Sequence, residues 1–257
     1  MWRITTWLLA GIISVALTTL AFFPATWLGE IVEKQSTGRL TLGDAQGSIW
    51  QGSAFIAGAA HGDEPVSALL PGRFDWQISP KILLGQVDVE LKNPLALSQA
   101  IHVTGNGSQW QVSPTEILID AERLSSLGAP LNTLQPTGQM RLSWQPLQLV
   151  RQDGAIAING TINLAIDDIA SRLSPVKPLG SYNLAMEWSG SQAQLLLKTV
   201  KGAMVLDGLG TLSNGKVQFS GTAQAADGQQ EKLSNFLNLL GQRRQQGGHE
   251  VIALEFR

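Results

Sequence analysis

A chain of 257 residues is long enough for one or two domains with a hydrophobic core, and its formal net charge of −2 gives no electrostatic footprint for nucleic acid. The absence of cysteine excludes disulfides, thiolate metal sites, iron–sulfur clusters and thiol nucleophiles. With 44% hydrophobic and 15% charged residues, this is a folding composition and not that of a charged disordered chain.

The first element is an apolar run. Ile4 to Phe23, "ITTWLLAGIISVALTTLAFF", carries no charge, and at 1.5 Å per residue a helix of this length covers about 30 Å, the thickness of a bilayer core. A cleaved signal peptide is the competing reading. It calls for a shorter apolar region and a small-residue cleavage site, whereas this run exits through the bulky "LAFFPATWLGE". The residues therefore predict an uncleaved single-pass anchor that includes Ile4, Trp7 and Phe23, with Trp27 at the far interface. Arg3 precedes the run and Glu30 follows it, so the positive-inside rule places the tip in the cytoplasm and the rest across the membrane. The expected division is 1–29 for tip and anchor and 30–257 for one exported β-rich domain.

Next comes "GDAQGSIWQGSAF", residues 43 to 55, where Trp50 stands among glycines. Leu40, Leu42, Ile49, Phe55 and Ile56 occupy strand-like apolar positions, while Gly43, Gly47, Gly52 and Gly58 permit turns, bulges and close backbone crossings. The expectation is a structural corner, with the Trp50 ring lying over glycine surface and its indole N–H directed to a carbonyl.

Beyond this corner the texture is mainly β. Short alternating segments recur at 73–79, 86–92, 139–149, 155–166, 182–188, 193–200, 203–212 and 216–225, with Asn214-Gly215 as a hairpin turn between the last two. This pattern predicts an antiparallel sheet pairing sequence neighbours, and it disfavours a doubly wound α/β fold. "SPTE" at 113–116 has capping-box spacing ahead of a short helix towards "AERLSSLG", although "EILID" reads equally well as a strand. An echo links 118–144 with 165–188. Both run from an Ile-Asp strand end, through a turn segment and a proline, to a glycine-led strand closed by tryptophan, which suggests repeated strand–helix–strand units. Near the end, Leu233, Phe236, Leu237 and Leu240 form one apolar stripe of a helix that stops at Gly241 and docks on the sheet.

Candidate chemistry is sparse. His61, His102 and His249 stand apart from one another, and no nucleophile elbow, zinc helix or phosphate-binding loop occurs. Asp63-Glu64 and Asp167-Asp168 are adjacent carboxylates, which read as solvated turn and cap residues more readily than as acid/base pairs. The residues thus predict a protein without catalytic, metal-binding or cofactor-binding groups.

The ordered set of anchor, "GDAQGSIWQGSA", "LDGLGTLSNGKVQFSGTAQA" and the tail "LSNFLNLLGQRRQQGGHEVIALEF" resembles the type II secretion system protein N (general secretion pathway protein N) family. The positions that carry the likeness are Gly47, Trp50, Gly52, Gly208, Gly210, Gly215 and Gly221. The resemblance implies an accessory, non-catalytic inner-membrane component of the apparatus that exports folded proteins from the periplasm across the outer membrane. Its implied partners are other inner-membrane secretion subunits and the membrane. A second reading is a membrane-anchored periplasmic β groove that binds or transfers lipid, motivated by the strand–helix echo and by apolar runs such as "LLLKTV". Cell-wall trimming by Asp167-Asp168 is a third.

Overall fold

The computed structural model describes residues 2–36, 40–58, 67–127, 131–152, 154–213, 215–246 and 249–256. Two helices open the chain, α1 (Trp2–Ala21) and α2 (Thr26–Gln35). The N-terminal strands are β1 (Leu40–Gly47), β2 (Gln51–Gly58), β3 (Ser67–Ala68), β4 (Phe74–Ile78), β5 (Gln86–Lys92), β6 (Ile101–Asn106), β7 (Gln109–Val112) and β8 (Thr115–Asp120). A short α3 (Leu131–Leu134) precedes β9 (Pro136–Trp144), β10 (Leu147–Gln152), β11 (Ala155–Ser171), β12 (Gly180–Gly190), β13 (Gln192–Gly202), β14 (Met204–Ser213) and β15 (Lys216–Ala225). Helix α4 (Gln230–Leu240) leads to β16 (Gln242–Gln246) and β17 (His249–Phe256).

All 17 described strands join one sheet, and every registered pair is antiparallel. From β1 the hydrogen-bonded path runs through β2, β4, β5, β6 and β7. It continues through β10, β11, β12, β13, β14 and β15 to β17 and β16. At about 4.8 Å per step this meander has a contour of roughly 60 Å. The antiparallel β prediction holds, and its cause is local, since nearly every strand turns back on its predecessor through a short connection.

Two of the long segments are interrupted at proline. Strand β9 pairs with 162–171 and β10 with 155–159 on the same side of β11, so 136–152 is one long strand interrupted at Gln145 and Pro146. In the same way β7 and β8 flank Pro114, and "SPTE" starts no helix. Its Ser113 hydroxyl accepts the His102 amide at 2.8 Å, and Thr115 is buried with its hydroxyl donating to Gln99 O at 2.9 Å. Proline cannot donate to a ladder and so breaks the pairing of a strand without ending its direction. "EILID" is strand β8, and the helical turn follows it as a 3-10 segment, Ala121–Leu127.

The register sorts side chains by chemistry. Trp144, Ile162, Met186, Leu195, Gly210 and Phe219 are successive cross-strand partners on one face, and Leu142, Leu164, Leu184, Leu197, Gly208 and Gly221 form the next row. A row on the other face reads Thr161, Glu187, Gln194, Thr211, Gln218. Because alternate residues of a strand face opposite ways, this places one apolar surface along the sheet. The two strand ends that carry the sequence echo deliver Trp144 and Trp188 to that same face, and β4 adds Trp76 to it.

That apolar face is closed chiefly near its ends. At the C-terminal end α4 lays Leu233, Phe236 and Leu237 on Tyr182, Met204, Ala223 and Ile252. At the N-terminal end Ala25 packs on Ala54 and Trp76, and Ala96 and Leu97 pack on Phe74. Between them Trp110, Trp144 and Trp188 stay half-buried. Helix α1 covers most of the run expected to span a membrane. The side chains at 2–6, 8, 9, 16 and 17 are not among those described, and over the described residues no helix is long and apolar enough to cross a membrane.

Candidate functional site

The glycine–tryptophan stretch is the seam between the helices and the sheet. After α1 the chain pairs Pro24 with Ser48, Ile49 donates its amide to Phe23 O at 2.9 Å, and Ala25 donates to Gly47 O at 3.1 Å. Gly47 has φ +87°, and a Cβ there would lie 2.5 Å from Gln51 O. A Cβ on Gly52 would meet Gln46 O and the Trp76 ring, each at 2.5 Å. Both glycines are therefore demanded by the close turn from β1 to β2.

Trp50 does not cover these glycines. Its indole N–H donates to Leu20 O at 2.7 Å, at the last turn of α1, while its own carbonyl accepts the Ile78 amide at 2.7 Å. The ring over Gly52 is that of Trp76, whose indole N–H is shared between Ser48 O at 3.2 Å and Ile49 O at 3.1 Å. Trp50 thus ties the helix end to the first hairpin and to β4. On the same hairpin Arg73 of the following segment donates to Asp44 at 2.6 Å and to Ser53, with its guanidinium 4.7 Å from the Phe55 ring centroid. The hydrogen bond from Arg73, with another from Gln46, holds the Asp44 carboxyl below its ordinary pKa.

The second glycine group lies far along the ladder. A Cβ on Gly208, Gly210 or Gly221 would strike the Phe219 ring, which occupies the space that these residues leave on the apolar face. Gly215 is a turn residue at φ +75° with open space around it. Of the α4 stripe, Leu233, Phe236 and Leu237 are buried and Leu240 is partly buried against the same core. The structure brings Gly47, Trp50 and Gly52 together, and Gly208, Gly210 and Gly221 together, but the two groups are near opposite ends of the sheet.

The carboxylate pair is divided between different cations. Asp167 binds Arg141 at 2.9 Å, while Asp168, at φ +48° in a bulge of β11, binds Lys201 at 3.0 Å and accepts from Ser181. Lys201 first and Ser181 second lower the Asp168 pKa, which favours a paired, ionised carboxylate over a shared proton. His102 is half-exposed, with Glu90 at 3.7 Å. His61, Asp63 and Glu64 lie outside the described residues, as does the side chain of His249. Among the described residues no three His, Cys, Asp or Glu side chains gather as metal ligands.

A cavity of about 520 Å³ opens beside α4, lined by Asp227, Gln230, Ser234 and Arg243 among others. Arg243 there donates to Asn238 at 2.6 Å. The apolar face was hidden from a residue-by-residue reading, because only the pairing register shows that partly buried leucines and tryptophans on many strands share one side.

These features define a class: an extended antiparallel β meander with an N-terminal helix keyed into its first hairpin. The sequence-family model described as type II secretion system (T2SS), protein N, matches residues 38–251, and the chain belongs to that family. No curated protein and no solved structure matches it. The family is a non-catalytic component of a secretion system, so membership implies contact with other components and a membrane-associated location.

Proposed function

We propose that this protein is an accessory inner-membrane subunit of the type II secretion system, supporting export of folded proteins by binding other subunits and not by turnover. Residues 1–29 form the cytoplasmic tip and single anchor, and 30–257 form the periplasmic body. The anchor rests on the uncharged run 4–23, since the family match begins at residue 38. The observation that carries the reading is the Trp50 to Leu20 hydrogen bond, which fixes the body to the end of the apolar helix. Tethering raises the local concentration of the body near other single-span subunits, so modest affinities suffice for assembly.

Partner contact occurs by strand addition at β16. Among the described residues this strand pairs only with β17, while the opposite end of the ladder, β1, is packed by α2. An unpaired strand edge offers a row of amides and carbonyls to an incoming strand. Proline placed singly along 242–246 is expected to abolish capture of secretion subunits at one or more positions while the body stays folded. Undiminished capture in every folded variant contradicts strand addition.

A second reading, lipid binding, is favoured by the half-buried middle of the apolar face. The Trp188 indole nitrogen is buried there without a hydrogen-bond partner among the described residues. An orphaned buried donor calls for an acceptor, and a lipid ester oxygen beside acyl chains supplies one. Stoichiometric phospholipid in the purified protein supports this reading; a lipid-free body counts against it.

A further inference from the structure

Turns along one end of the strands divide by chemistry. Those at 107–108 and 190–191 are each Gly-Ser. The two beside the end of α1 differ: 48–50 is Ser-Ile-Trp and 79–85 is Ser-Pro-Lys-Ile-Leu-Leu-Gly. The longer one forms a 3-10 turn, Pro80–Leu84, capped by the Ser79 side chain and stopped by Gly85 at φ +81°. Its apolar side chains face out: Leu84 is 84% exposed, Leu83 59% and Ile82 39%.

Nothing in the turn geometry requires three adjacent large aliphatic residues, since two-residue polar turns reverse the chain elsewhere along this edge. Their position supplies a reason. Trp50 bonds to Leu20 O on one side and receives the Ile78 amide on the other, so the 3-10 turn starts two residues after Ile78, which is linked through Trp50 to the α1 end. At that end Phe22 is 76% exposed and Trp27, whose ring centroid is 5.2 Å from that of Phe23, is 51% exposed.

We propose that the 79–85 turn is a second membrane contact, with Ile82, Leu83 and Leu84 resting in the bilayer interface beside the α1 exit. Lys81 reaches the headgroups, its aliphatic stem lying along the apolar surface. The contact extends the apolar surface of the anchor, and it would hold the sheet at a fixed attitude to the membrane instead of leaving it free on a single tether. This inference rests on the anchored reading proposed above. An exposed aliphatic cluster next to an apolar helix end is matched by lipid, whereas the polar turns farther along the same edge are matched by water.

The chain has no cysteine, so single labels are unambiguous. Full-length Leu84→Cys, Gly107→Cys and Ile12→Cys variants, each carrying an environment-sensitive fluorophore, are reconstituted in phosphatidylethanolamine/phosphatidylglycerol vesicles containing nitroxide-labelled lipid. The expected result is strong quenching at 84 by shallow nitroxides, none at 107, and quenching at 12 by deep nitroxides. A label at 84 that matches 107 while 12 is quenched overturns the second contact and leaves the anchor standing. Loss of quenching at both 12 and 84 overturns both. A label at 84 shielded from water yet untouched by lipid quencher also overturns the inference, because a protein surface then covers the turn.

Discussion

The two ends of the sheet treat the same apolar face in different ways. At the C-terminal end α4 closes it with Leu233, Phe236 and Leu237, and the Tyr182 hydroxyl donates to Met204 O at 2.9 Å beneath that helix. At the N-terminal end coverage comes mainly from Ala25 and the Ala96-Leu97 segment, while Phe22, Trp27, Leu83 and Leu84 remain exposed. Packing at one end is spent on stability, and at the other on holding a helix at a defined place. Substitutions should therefore unfold the C-terminal end and uncouple the N-terminal one.

The largest effect is expected at Phe236, which is 3% exposed. Phe236→Ala should cost about 3–5 kcal/mol in denaturant unfolding, as deletion of a buried ring leaves a cavity. Leu239→Ala, on the outer side of the same helix at 65% exposure, should change stability by less than about 0.5 kcal/mol. Equal losses at both positions would remove the docked helix from the account.

Gly52→Ala should cost roughly 1–3 kcal/mol through overlap with Gln46 O and the Trp76 ring. Its signature is regional: hydrogen exchange should accelerate at Ile49 and Ala25, whose amides cross the seam, and stay unchanged under α4. Uniform acceleration along the chain would show that the two ends are not energetically separate.

A smaller change, about 1 kcal/mol, is expected for Tyr182→Phe, which removes one buried hydrogen bond. Burial raises the Tyr182 pKa above its ordinary value of 10.0. A raised folded-state pKa means that this contribution is complete below about pH 10 and is lost as pH climbs towards the folded value. Alkaline unfolding should therefore begin at the C-terminal end in the wild type and be delayed in Tyr182→Phe. The same onset in both would exclude Tyr182 as the cause.

The smallest effect belongs to the exposed Asp44–Arg73 pair. The Asp44 pKa is lowered, so its stabilising contribution is present above the ordinary carboxylate value and disappears as pH falls through the lowered one. Asp44→Asn should flatten a weak acid-side slope near the seam and leave neutral-pH stability almost unchanged. A neutral-pH loss as large as that of Gly52→Ala would show this pair to be structural.

Much of the C-terminal end was legible in the sequence, because its signals are local. Strand β15 occupies the predicted 216–225, Gly215 precedes it at φ +75° while Asn214 lies outside the described residues, and the Leu233, Phe236, Leu237, Leu240 stripe is the docked face of α4. The N-terminal half was less legible because its decisive contacts are long-range. The partner of Trp50 is 30 residues away, and the ring that fills the space over Gly52 comes from Trp76 in another strand. Prolines misled as well: Pro114 imitates a helix start inside a strand pair, and Pro146 divides what alternation reads as one strand. The continuous apolar face required the register of the whole ladder, which no single window of sequence contains.

The central claim is that an anchored β body works by contact within a secretion apparatus. It is tested most directly by crosslinking in intact cells, detergent purification, and counting of copurified proteins and lipids in one sample. Other single-span secretion subunits with little bound lipid are the expected result. Stoichiometric lipid without those subunits would contradict it and make the β body a carrier.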